Sequence, residues 1–172
     1  MAANKPKPFE IYRAAEARDY GEHGIQEIVD PSPAVIEALT QFVREGAGAG
    51  QEVTMAYSRP GFSLTKVWFK SGYPLPLHSH SGDCLYHITA GSIRIGEDTL
   101  GPGDGFFVES DVPYTYEIGP DGVQVLEFRA TDQMDIKFRS KGKAPWDKII
   151  TRLRERRAAW ESEPPPSKAP RA

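Results

Sequence analysis

From Val53 to Phe128 the chain is a succession of short runs rich in Val, Ile, Tyr, Phe and Thr, broken by turns that carry glycine and proline. No segment between these runs has the length and period of a crossover helix, which parallel neighbours would need. The pattern therefore confines the region to antiparallel pairing in a sandwich or barrel. Strands are predicted near 53–58, 62–70, 76–80, 84–90, 92–96, 105–109, 113–118 and 123–129. The turns between them include Ser81-Gly-Asp, Ala90-Gly-Ser, Gly101-Pro-Gly-Asp and Gly119-Pro-Asp-Gly.

The flanks are of a different character. Residues 1–8 are rich in Lys and Pro and are expected to be flexible, and 9–50 form an N-terminal extension with one helix. That helix opens at Asp30-Pro-Ser-Pro, carries Val35, Ile36, Leu39, Phe42 and Val43 at three- and four-residue steps, and ends at Gly46. The β region is bounded at 51–130. Over 131–161 a basic region contains a second helix from Ala144-Pro-Trp-Asp, with Trp146, Ile149, Ile150, Leu153 and Trp160 on one stripe, expected to pack outside the β region or on a second subunit. The stretch 162–172, with Pro164, Pro165, Pro166 and Pro170, is expected to be disordered. At 172 residues this is one domain with terminal extensions.

Charge and cysteine content narrow the partners. A net charge of -3 gives no overall attraction to phosphate backbones or anionic lipid, so neither nucleic acid nor membrane is an expected partner. The local excess of Lys and Arg from Lys137 to Arg157 reads as a solvated face against an acidic body. One cysteine permits no intrachain disulfide, and no apolar stretch resembles a signal peptide or a membrane span, so a cytoplasmic protein is expected.

The chemistry concentrates in Gly72-Tyr-Pro-Leu-Pro-Leu-His78-Ser-His80, followed by Ser81-Gly-Asp-Cys84-Leu-Tyr86-His87 and Gly91. Residues two apart on a strand share a face, so His78 and His80 present both imidazoles to one side, which is chelating geometry for zinc, copper, iron or nickel. The same alternation puts Cys84, Tyr86 and Ile88 inward and Leu85 and His87 outward, and Tyr114 with Tyr116 inward. His87 is accordingly structural, Asp104 stabilises its turn, and His23 is expected on the surface.

These flanks resemble the first motif of the cupin superfamily. Gly101-Pro-Gly-Asp104, the apolar Phe106-Phe107-Val108 and Asp111-Val-Pro-Tyr114 resemble the second. The resemblance covers roughly residues 62–128 and implies an all-β fold: a cupin-type antiparallel β-barrel (double-stranded β-helix or jelly roll) with short N- and C-terminal helices. It further implies a divalent metal, Fe or Zn foremost with Mn, Ni or Cu also open, held by two histidines and a glutamate from the first motif and a histidine from the second. His78 and His80 match, Cys84 stands at the glutamate position, and Tyr114 stands at the second histidine. Cys84, Asp83, Tyr114 or water is then left to complete the set.

Two functions remain open at this point. One is a metal-dependent enzyme acting on a small organic molecule, aromatic or keto-containing, by oxygenase-type chemistry, with isomerase or lyase chemistry as alternatives. In it His78, His80 and Cys84 hold the metal while Tyr114, Tyr86 and Tyr116 orient substrate or move a proton, which requires their pKa values to be lowered. The other is a non-catalytic cupin that binds or senses a small molecule after losing part of its metal site. Either is expected to form a homodimer.

Overall fold

The computed structural model describes residues 8–19, 26–140 and 142–168. Ten strands dominate: β1 (Arg18–Asp19), β2 (Gln26–Ile28), β3 (Gln51–Arg59), β4 (Phe62–Phe69), β5 (His78–Ser79), β6 (Cys84–Ile95), β7 (Asp98–Leu100), β8 (Gly105–Val108), β9 (Glu117–Arg129) and β10 (Met134–Phe138). Seven of them form one sheet in the order β1-β3-β4-β9-β6-β7, with β8 also on β6, and three form a smaller sheet, β2-β10-β5. Every pairing is antiparallel except β2 with β10. The mostly antiparallel architecture with two helices is the one the cupin resemblance implies.

Alternation along β6 sets its faces as the sequence predicts: Cys84, Tyr86 and Ile88 are buried, Leu85 and His87 exposed. The inner faces of β4, β6 and β9 supply Val67, Phe69, Ile88, Val123 and Val125 to one apolar core. Two predicted strands, 84–90 and 92–96, are one continuous β6 with register shifts between Ile88 and Ala90 and between Gly91 and Ile93. Gly91 permits this, because its backbone sits at φ 73 and a Cβ there would lie 2.1 Å from the carbonyl oxygen of Gly122. The predicted turn at 119–122 is likewise taken up inside β9. Gly91 faces Val123 and Ile93 faces Ile118, so four residues of β9 bulge out of the ladder.

Two long helices lie beside the sheets. Helix α1 (Pro33–Arg44) starts where the Ser32 side chain accepts from the Val35 N–H at 3.4 Å, with Pro33 at its first position, and ends at Gly46 with φ 95. Its buried face is Val35, Ala38 and Phe42; Ile36 and Val43, predicted on the stripe, face solvent because the covered arc is narrower than the apolar one. Helix α2 (Lys143–Trp160) buries Trp146, Ile150, Leu153 and Trp160. Trp146 meets Phe42 of α1 at 6.3 Å and Phe138 of β10 at 5.5 Å, so α2 packs on its own chain. None of the described helices is long and apolar enough to cross a membrane.

Three features depart from the sequence expectation. Strands β1 and β2 come from the N-terminal extension, and β10 lies in what reads as a helical basic region. Part of the basic excess is engaged in ion pairs: Lys137 with Asp111 at 2.6 Å, and Arg157 with Glu45 at 3.5 Å beside an Arg154–Glu45 contact. The tail predicted as disordered from 162 is anchored at its start, where the Glu163 carboxylate accepts from Ser71 N–H and Oγ–H, both at 2.6 Å. Residues 1–7 and 169–172 of the two predicted flexible ends lie outside the described residues.

Candidate functional site

Pro74 and Pro76 stiffen the approach to β5, and the chain is then clamped on both sides of His78. Its N–H donates to the Tyr114 carbonyl at 3.2 Å and its carbonyl accepts from Tyr114 N–H at 2.9 Å. The first-motif and second-motif segments are thereby brought together at the two residues that matter. The His78 and Tyr114 rings lie 4.4 Å apart and the two imidazoles 5.0 Å apart.

Each imidazole is held by a main-chain carbonyl. Nδ1–H of His78 donates to Pro76 O at 2.7 Å, and Nδ1–H of His80 donates to Asp135 O on β10. This fixes both rings with the lone pair on Nε2. On His80 that lone pair accepts from the Tyr114 hydroxyl at 3.2 Å, and Tyr114 is in turn hydrogen-bonded to the Tyr86 hydroxyl. Asp135 secures the arrangement further, since its carboxylate accepts from Ser81 N–H at 2.8 Å and from the Ser81 hydroxyl.

Burial decides the charge states. It pulls His78 and His80 down to about 4, helped for His78 by its neighbour His80 and for His80 by Arg129, so both are neutral at pH 7. Burial also pushes the Cys84 thiol up to about 12, and it raises Tyr86, Tyr114 and Tyr116 with Glu127 as the next cause. The phenols are therefore donors at neutral pH, whereas the acid–base role expected of them requires a lowered pKa.

A cavity of about 460 Å³ lies between the two sheets. His78, His80, Tyr114 and Tyr116 form part of its wall, with Val67, Phe69, Leu75 and Met134 supplying an apolar part. Cys84 and Tyr86 point inward as predicted but stand behind this wall. Asp83 is exposed, accepts from Ser110 N–H at 2.8 Å and is not part of the cavity wall. Asp104 accepts from Gly101 N–H at 2.9 Å, which is its predicted turn role, and His23 lies outside the described residues.

Two wall residues escaped the sequence reading. Glu127 and Arg129 face inward on β9 as an ion pair at 2.7 Å, almost wholly buried. The signal was present: period-two alternation carries the inward set Val123 and Val125 on to Glu127 and Arg129. A buried ion pair in a cavity wall is an uncommon use of charge in a core.

The donor set does not fit the metal that the resemblance implies. Among the described residues no three of His, Cys, Asp and Glu are grouped so as to hold an ion. The Nε2 atom of His80 is engaged by Tyr114, Glu127 is engaged by Arg129, and Cys84 is a buried thiol behind the cavity wall.

No protein-family model matches the sequence, and no curated protein does. Solved structures do. A RmlC-like cupin from Shewanella frigidimarina NCIMB 400 is 22% identical over 49% of this chain and 78% of that one, with a TM-score of 0.45. The polyketide cyclase RemF from Streptomyces resistomycificus is 16% identical over 60% of this chain and 84% of that one, with a TM-score of 0.49. KdgF from Halomonas sp. is 20% identical over 47% and 79%, with a TM-score of 0.42. All three TM-scores lie below 0.5, and no role is carried from these proteins to this chain.

Proposed function

Starting from a cupin fold with a half-polar cavity between its sheets, we propose that this protein binds a small organic molecule there, in contact with His78, Tyr114 and Tyr116. One observation carries the reading. Two buried imidazoles, each locked through Nδ1 onto a carbonyl, share the wall of a cavity of about 460 Å³ with two phenols and an apolar surface. Apolar walls with a few convergent polar groups, at this size, are what small-molecule sites consist of.

A second reading, metal-dependent turnover of an aromatic or keto-containing substrate, is favoured by the same Nδ1 locks. Metal-binding histidines are commonly oriented by a hydrogen bond from the other ring nitrogen to a carbonyl. It needs donors beyond the two histidines, and the described residues do not bring a third together with them. The two readings part on one experiment with untagged protein. The binding reading predicts less than about a tenth of an equivalent of bound Fe, Zn, Mn, Ni or Cu, and unchanged small-molecule thermal shifts after chelation. A full equivalent of metal that is lost in His78→Ala/His80→Ala would replace the first reading by the second.

A further inference from the structure

Two side chains of the cavity wall, His78 and Tyr116, each carry a polar atom that makes no hydrogen bond among the described residues. The first is Nε2 of His78. Its Nδ1–H is committed to Pro76, so Nε2 carries a lone pair and accepts. The second is the hydroxyl of Tyr116, a residue 5% exposed whose ring packs against Phe69, Phe106 and Tyr114. Tyr114, by contrast, is hydrogen-bonded to both His80 and Tyr86.

A ligand that offers a donor to the one and an acceptor to the other gains a hydrogen bond at each, about 3- to 10-fold in affinity apiece. The neighbouring charges limit what that ligand is. Glu127 and Arg129 neutralise each other at 2.7 Å, so a charged head would enter a buried wall whose cation already has its counterion. The rest of the wall, with Val67, Phe69, Leu75 and Met134, suits an apolar frame.

We infer that the cavity takes an uncharged hydroxy-ketone, on an aromatic or aliphatic frame, which gives a hydroxyl proton to His78 Nε2 and receives the Tyr116 hydroxyl at its carbonyl oxygen. This rests on the small-molecule reading above and specifies its ligand class.

The test is an NMR titration of the full metal-stripped chain at neutral pH with four probes: para-hydroxyacetophenone, acetophenone, phenol and para-hydroxybenzoate. The hydroxy-ketone binds tightest, and losing either group weakens it by about 3- to 10-fold, the worth of one hydrogen bond. Tyr116→Phe imposes the same loss on the hydroxy-ketone and none on phenol. His78→Leu weakens the hydroxy-ketone but not acetophenone, and His78→Gln, which restores a carbonyl acceptor, recovers most of the loss. Equal or tighter binding of para-hydroxybenzoate, or an unaffected Tyr116→Phe, overturns the ligand class while leaving the small-molecule reading standing. Absence of any shift of cavity resonances with all four probes overturns the class as well, and the broader reading then rests on the thermal shifts and metal content described above.

Discussion

His80 illustrates how much one side chain can be specified by its surroundings. Its carbonyl accepts from Asp111 N–H at 2.7 Å, its Nδ1–H is held by β10, and its Nε2 receives Tyr114 at 3.2 Å. Tyr114→Phe removes both of that phenol's hydrogen bonds and leaves His80 Nε2 and the Tyr86 hydroxyl without it, so unfolding by urea is expected to show a loss of about 1–3 kcal/mol. The histidines also predict a pH dependence. Their folded pKa values of about 4 lie below the ordinary value, so between the two the unfolded chain binds protons that the folded one does not. Their contribution is complete above about pH 6.5 and is lost as pH falls toward 4, so the melting temperature should drop between pH 7 and pH 5. His78→Gln should flatten that drop, and a wild-type melting temperature constant over the interval would contradict the burial described. At this scale the sequence was legible where period two and the paired motifs operate: His78, His80, Tyr114 and Tyr116 all reach the wall. It was not legible for Cys84 and Tyr86, because inward is not the same as cavity-facing. Which inward residues line space depends on the stacking of Tyr86 on Phe106, at 4.5 Å, a contact that alternation does not encode.

Among the elements, α2 does most to hold the loop that leads into β5. Trp160 at its end is fully buried, packs 5.7 Å from Tyr73 and donates from its indole N–H to Ser71 O at 3.0 Å. Arg156 and Glu163 grip the same Ser71. Trp160→Ala is expected to cost about 3–5 kcal/mol by truncating a large core side chain. Glu163→Ala, losing two charge-assisted hydrogen bonds, should cost about 1–3 kcal/mol by the same denaturation measurement. A change within error for Glu163→Ala would mean that the tail is not anchored. The long elements β3, β4, β6, β9, α1 and α2 follow from hydrophobic period. The short ones β1, β2, β7 and β10 do not: they have two to five residues, too few for a period to show, and exist because distant partners pair with them. β10 is the costly omission, since Asp135 on it orients His80.

Over the whole molecule, the outer surface of the large sheet exposes two apolar side chains paired in register across β8 and β6, Phe107 and Leu85. Leu85 is 48% exposed and Phe107 58% exposed, an adjacent apolar pair on an otherwise solvent-facing sheet. The homodimer expected from the sequence would pair this face with itself, so sedimentation should give twice 19.1 kDa for the wild type and 19.1 kDa for Leu85→Lys/Phe107→Lys. A monomeric wild type would refute it. The cavity is independent of that face, and the account stands or falls on what occupies the space beside His78 and His80. A crystal structure of untagged protein, with anomalous data collected at the edges of iron, zinc, manganese, nickel and copper, reads this directly. The account predicts an organic ligand against His78 Nε2 and the Tyr116 hydroxyl, with the Tyr114–His80 hydrogen bond intact. An anomalous peak bonded to the Nε2 atoms of both His78 and His80, with Tyr114 turned away, would contradict it.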